Sequence, residues 1–294
     1  HGILSRITGV LAQEKINIEV INKIKKEGTD NSKVMDIAFY LTDVSGPRLT
    51  ASPGFMSAAN WAKNKLTEWG LVNAQLDPWG EFGKSWRQER CYVAMTAPYY
   101  QPLIAVPRAW TGSTPGKKEL KGDVVLIKAM DTTELLKYAG TIKNKIIMTW
   151  STTQLKPSFE ADGNRYADTT LDKMAKAEPR PQGGNRGGGN RFQGDSAQRA
   201  AFTNRNTVQR KMTDFFLKEK PALVLNMNAS GNDGTLFISS GGSYTKDAAE
   251  APASVTLSSD DYLRLQRLIE AGIKVELEAK VKTKFFAEDL KGYN

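Results

Sequence analysis

The chain has 294 residues, enough for one large domain or two ordinary ones. Its 40% hydrophobic and 25% charged content is that of a globular protein, and no apolar run approaches the roughly eighteen residues of a membrane span. The formal charge of +9 is local: from Pro179 to Lys211 seven cations (Arg180, Arg186, Arg191, Arg199, Arg205, Arg210, Lys211) face one anion, Asp195, which leaves +3 on the other 261 residues.

Residues 1–12 are mostly apolar, and Val10-Leu11-Ala12 places small residues where a signal peptidase reads. Arg6 interrupts that run and no basic segment precedes it, so two readings stand. Either it is the remnant of an export signal, making the protein secreted or periplasmic, or it extends the first helix or is an expression remnant led by His1. Ile16, Val20, Ile21 and Ile24 then fall on one helical stripe, with Gly28 expected to end the helix. Asp30, Asn31 or Ser32 caps a second helix that turns Val34, Ile37, Ala38 and Leu41 inward, and SGPRLT breaks it. Ser52 reads as the cap of a third helix, with Pro53 at its first position and Gly70 just past its end. Its apolar face is expected to be Phe55, Ala59, Ala62, Leu66 and Trp69.

Strand patterns begin after Leu71, with VNAQLDPW and RQERCYVAMTAP, and from about Tyr100 the chain reads as β-rich. LKGDVVLIKAM, IKNKIIMTWS, PALVLNMN and GTLFISSGG are short apolar runs of the kind found in buried strands. Within Thr153–Arg210 lies PRPQGGNRGGGNRFQGD, too low in complexity to bury a core. Residues 177–200 are read as a solvated loop. The alternative, RNA binding through charge and stacking on the single aromatic Phe192, is not expected. An amphipathic helix follows with Val208, Met212, Phe215 and Phe216 on its core face. A Ser-capped helix from SSDDYLRL and an alternating strand from Ile273 to Val281 come last.

The chemistry-bearing residues are few. The lone cysteine, Cys91, excludes an internal disulfide, and the lone histidine, His1, stands at the first position. Histidines and carboxylates hold most hydrolytic zinc, and histidine is the usual base of acyl transfer, so a catalytic site is not expected here. Cys91 is read as a small buried strand residue. Asp260-Asp261 and Glu288-Asp289 are read as capping or solvated pairs rather than acid–base pairs. Trp61, Trp69, Trp79, Trp86 and Trp110 are read as packing residues. Arg48 and Trp110 are the only residues entertained for the edge of a cleft, and neither is assigned a role.

The stretch YLTDVSGPRLTASPGFMSAANWAKNKLTEWGL, followed by DPWGEFGKSW, resembles the zinc-dependent aminopeptidase and carboxypeptidase family whose catalytic domain carries a protease-associated domain insertion, a family that includes plasma glutamate carboxypeptidase. ELKGDVVLIKA, KNKIIMTW and PALVLNMN resemble strands of the insertion, and DDYLRLQRLIEAGIKVELEAKVKTKF resembles the exit from it. The resemblance covers roughly residues 14–294. It departs at Ala51, where the family more often has Gly, and at the Gly/Arg-rich loop.

What the resemblance implies is an α/β fold: N-terminal helices and strands of a zinc-exopeptidase sheet with an inserted β-rich protease-associated domain. Residues 1–101 would belong to the peptidase domain, 102–257 to the insertion, and 258–294 to the helix and strand returning from it. The family's zinc ligands, from an HxD motif, a Glu-Glu pair and a second histidine, match nothing in this sequence. No catalytic, cofactor or metal residue is therefore assigned, and zinc is expected only in a complete family enzyme acting on peptides. Two functions follow. The first is the scaffold and protease-associated portion of an exported zinc exopeptidase, inactive without a missing C-terminal catalytic part. The second is a non-catalytic module that binds a protein or peptide. If the rest of the peptidase sheet is missing, the strand at 273–281 should have an open edge and the first hundred residues should be unstable.

Overall fold

The computed structural model describes residues 18–129, 131–155, 159, 163–177, 211–228 and 235–294. Residues 1–12, Ile16, Val208 and the Gly/Arg-rich stretch 178–200 lie outside them. In chain order the elements are α1 (Ile18–Asp30), α2 (Val34–Phe39), a π-turn (Tyr40–Val44), α3 (Pro53–Glu68), β1 (Pro78–Glu81), β2 (Ser85–Ala97), β3 (Gln101–Pro102), β4 (Ala105–Pro107) and β5 (Leu120–Ile127). They continue with α4 (Thr132–Leu136), β6 (Ile146–Thr149), α5 (Asp168–Lys176), α6 (211–219), β7 (Leu223–Met227), β8 (Ser254–Leu257), α7 (Ser259–Glu270), β9 (Glu276–Phe286) and β10 (Lys291–Tyr293). Two units are distinguished, one from residues 1–39 and 156–195, the other from 40–155 and 196–294.

The described part of the first unit is helical: α1, α2 and α5. Gly28 does not end α1, which continues to Asp30, because Gly28 stays out of the left-handed region that stops a helix. Before α2, Ser32 Oγ accepts from the Val34 amide at 3.4 Å, while the first helical backbone bond runs from the Ile37 amide to Lys33 O. The expected apolar stripes are only partly covered: Ile21, Ile37, Ala38 and Leu41 are half-buried, whereas Val20 is 45% exposed, Ile24 66% and Val34 62%.

In the second unit α3 follows the sequence rules closely. Ser52 Oγ accepts from the Phe55 amide at 3.2 Å, and Pro53 occupies the first turn. At the other end Gly70 (φ +86°) lets its own amide reach Thr67 O and the Leu71 amide reach Leu66 O, which satisfies two terminal carbonyls. The covered face differs from expectation by about one residue, or roughly 100° of helix. Ala58 is buried and Trp61 stacks on Tyr40 with centroids 5.0 Å apart, whereas Leu66 and Trp69 are exposed. The cause is the Tyr40–Val44 turn, which covers only the side of α3 that it lies against.

One mixed sheet of eight strands, ordered β3-β2-β9-β5-β6-β7-β8-β4, organises the unit. β5, β6, β7 and β8 run parallel; β9 is antiparallel to both neighbours, as are β3 to β2 and β4 to β8. The edge strands β3 and β4 are joined by only Leu103 and Ile104, a link of at most about 11 Å. The sheet therefore curls until its edges meet, and Cys91 Sγ of β2 lies 3.5 Å from Ala105 O of β4. β6 reads as the uninterrupted apolar run Ile146-Ile147-Met148, all buried, because both sheet faces are covered there. α7 packs Tyr262 and Leu265 on one face; α4 and α6 pack Leu135, Phe215 and Phe216 on the other.

The alternation holds from Val275, with Val275, Leu277, Ala279 and Val281 at 0–2% exposure, but Ile273, read as its first apolar residue, is exposed and β9 begins only at Glu276. Its expected open edge is filled, because β2 pairs along one side and β5 along the other. β2 brings Val93, Ala94 and Met95 into the core, so the end of the first hundred residues is held by the sheet. GTLFISSGG does not form a strand among its described residues; only Ser240 bridges to Ala109. VNAQLDPW contributes only the start of β1, which pairs with β10 in a separate two-stranded sheet.

Candidate functional site

The sheet opens a cavity of about 730 Å³ that runs along β7 and β8, from Val224 and Ser254 near their amino ends to Thr149 at the end of β6. Thr149 at the end of β6, Asn226 near the end of β7 and Thr256 in β8 line its base. Phe216, Leu217, Trp150 and Ile238 supply apolar wall. Arg108, just past β4, is the one charged residue among the described lining.

Arg108 is placed by the backbone. Its amide donates to Ser254 O at 2.9 Å, and two residues later Trp110 adopts φ +58° and turns the chain away. The segment Ser240-Gly241-Gly242 lies against this turn at very short range. A Cβ on Gly242 would stand 1.8 Å from Trp110 O, and one on Gly241 would stand 2.7 Å from Arg108 Cβ. Only glycines allow that approach. The guanidinium Nη1 donates to Asn226 Oδ1 at 3.2 Å, and Nη2 donates to Ser239 Oγ at 3.0 Å and Ser240 O at 2.6 Å. Asn226 is itself fixed, its Nδ2 donating to Ser254 Oγ at 2.8 Å and Val255 O at 3.2 Å. All the acceptors around Arg108 are neutral, and among the described residues no carboxylate lies within ion-pairing distance of it. Burial pulls its pKa below the ordinary value, although a guanidinium keeps its proton throughout the physiological range.

The far wall is equally fixed. Tyr262 is 1% exposed and donates its hydroxyl to Thr149 O; burial pushes its pKa up to about 12, so it remains a donor. Gln266 clamps Ser151, accepting from its amide at 2.9 Å and donating to its carbonyl at 3.0 Å. Trp150 Nε1 donates to Glu270 Oε1 at 2.8 Å, and Lys128 holds that carboxylate below its usual pKa. The cavity combines one uncompensated cation, several hydroxyls and aromatic wall, which equips it for binding.

None of the residues weighed from sequence for chemistry or a cleft edge lines it. Arg48 donates to the carbonyls of Leu41 and Gly46 and so ties down the turn before α3. Trp110 is buried, with Nε1 donating to Lys84 O at 2.9 Å, among Phe82 and Tyr244. Trp86 is also buried, Trp61 is half-buried, and Trp69 and Trp79 are exposed. Burial pushes the Cys91 thiol up to about 11, far from a nucleophile's range. Asp261 is buried at the start of α7, where its Oδ2 accepts from the Ile104 amide at 2.9 Å. Asp289 accepts from Tyr293 in the exposed turn before β10. Arg108, Asn226 and Tyr262 escaped sequence reasoning. For Arg108 and Asn226 the signal was a polar residue at or just after an apolar run, as in AVPRAW and LVLNMN; Tyr262 lies inside α7 and carried no such signal.

Among the described residues no three His, Cys, Asp or Glu side chains converge on a point that could hold a metal ion. They do not fit a zinc pair, and no chemistry is derived through one. No helix among them is long and apolar enough to cross a membrane.

No protein-family model matches the chain, and no curated protein matches it. A solved structure of a peptidase M28 precursor from Shewanella amazonensis SB2B is similar at TM-score 0.52 and 16% identity, over 95% of this chain and 53% of that one. An aminopeptidase from Aneurinibacillus sp. strain AM-1 gives TM-score 0.43 and 12% identity, over 88% and 46% of the respective chains, too weak a likeness to define a fold. The first likeness assigns a mixed α/β fold of the peptidase M28 kind. The chain spans about half the length of these structures.

Proposed function

We propose that this chain is the scaffold and protease-associated portion of an exported zinc exopeptidase that hydrolyses peptides, related to plasma glutamate carboxypeptidase. The observation that carries the reading is the fold likeness to a peptidase M28 precursor over 95% of this chain but only 53% of that one. In this reading peptide cleavage and zinc binding reside outside the described residues, in a C-terminal catalytic part. Residues 102–257 act as the inserted domain, β2 and β9 carry the chain into and out of it, and the insertion shapes access to the substrate. The intact mass of the source protein tests the reading. A mass well above the 32.4 kDa of this chain, with peptidase activity, is expected. A source protein of 32.4 kDa would overturn it.

The second reading, a non-catalytic module that binds a protein or peptide, is favoured by the cavity at Arg108. It has donors and apolar wall, and its described lining contains no acid–base pair.

A further inference from the structure

We propose that the cavity along β7 and β8 binds the carboxylate of a peptide end or small acyl amino acid, with Arg108 receiving the charge and the aromatic wall receiving the adjoining apolar side chain. The proposal rests on the cavity and is independent of the peptidase reading.

The argument begins with hydrogen-bond capacity. A guanidinium carries five N–H donors, and three of those on Arg108 are taken by Asn226, Ser239 and Ser240. The Nε–H and one Nη1–H have no acceptor among the described residues. The three acceptors already present are neutral, so they hold the side chain in one orientation while leaving its charge unbalanced. A half-buried cation without a counter-ion is costly, and an incoming anion gains both the open donors and that charge. Asn226 is in turn locked by Ser254 and Val255, so the guanidinium is fixed before any ligand arrives. Less ordering then opposes binding.

Shape and polarity narrow the class. A cavity of about 730 Å³ exceeds what a bare inorganic anion fills. Phe216 and Trp150 line the same space as Arg108, so the preferred ligand carries an apolar body beside its charge. No second cation lines the described wall, which favours a single carboxylate over a phosphate dianion. The Tyr262 hydroxyl is occupied with Thr149, and Gln266, behind the wall, holds Ser151 in place, so neither is offered to the ligand.

The test titrates the 294-residue chain by calorimetry with N-acetyl-phenylalanine, N-acetyl-phenylalaninamide, a tetrapeptide ending in phenylalanine as free acid and as amide, and inorganic phosphate. The acids should bind about 10- to 100-fold more tightly than their amides, as expected for hydrogen bonds to a charged group. They should also bind more tightly than phosphate, and the preference should weaken as salt rises. Binding by both acids assigns the site to carboxylates generally; binding by the tetrapeptide acid alone assigns it to peptide ends. Arg108→Gln, with its folding checked by circular dichroism, should abolish the preference of acid over amide, and Arg108→Lys should retain part of it. If Arg108→Gln fails to fold, the acid–amide comparison on the unaltered chain decides alone. Equal affinity for acid and amide, phosphate binding as tightly as the acids, or no binding by any probe would overturn the proposal. None of these results depends on whether the source protein is a peptidase.

Discussion

α7 and α1 are both amphipathic helices of twelve to thirteen residues, and they end in opposite surroundings. On α7, Tyr262 and Leu265 are 1% and 0% exposed against the sheet; on α1, Val20 and Ile24 are 45% and 66% exposed. The repeat of apolar residues suffices to make each helix, yet only α7 has its apolar face covered within the described structure. An apolar stripe marks a face capable of burial, and its contribution to stability depends on what lies against it. Most helical stability comes from such packing rather than from local propensity.

The largest effect that tests this contrast is paired. Leu265→Ala should lower unfolding free energy in urea by about 2–5 kcal/mol, the cost of a core cavity. Ile24→Ala should change it by under about 0.5 kcal/mol, as exposed substitutions do. A loss at Ile24 as large as that at Leu265 would mean that another surface covers α1 in solution. The next effect concerns the support of Arg108. Gly242→Val places side-chain atoms against the Trp110 carbonyl, where even a Cβ would stand at 1.8 Å, and should cost about 1–3 kcal/mol with loss of acid binding at the cavity. Unchanged binding by this variant would show that the 240–242 segment does not position Arg108. The smallest effect is a gain. Ala51 sits at φ +57°, where a side chain is strained, so Ala51→Gly should raise stability by about 0.5–1 kcal/mol in the same urea series.

That last residue also indicates how far the sequence could be read. Ala51 stood out only as a departure from the glycine of a resembling family; its left-handed backbone supplies the physical reason. Ser52, Pro53 and Gly70 were legible because caps act within a few residues of themselves. The alternation from Val275 to Val281 was legible because period two is a local property. What β9 pairs with was not, since its partners lie at 85–97 and 120–123, and its antiparallel placement between them emerges only from the folded sheet. The exposed Leu66 and Trp69 were misjudged for the same reason: the turn that covers α3 chooses which side is buried. Arg108 was the least legible of all. Its meaning depends on Asn226 and Ser239, 118 and 131 residues further along the chain.

The proposed function makes these 294 residues a peptidase-like scaffold and assigns metal chemistry to another part of the source protein. Zinc content of the purified, dialysed chain, measured by mass spectrometry alongside hydrolysis of an aminoacyl-nitroanilide, tests this most directly. The account predicts no stoichiometric zinc and no hydrolysis. Zinc near two per chain with turnover of the nitroanilide would contradict it.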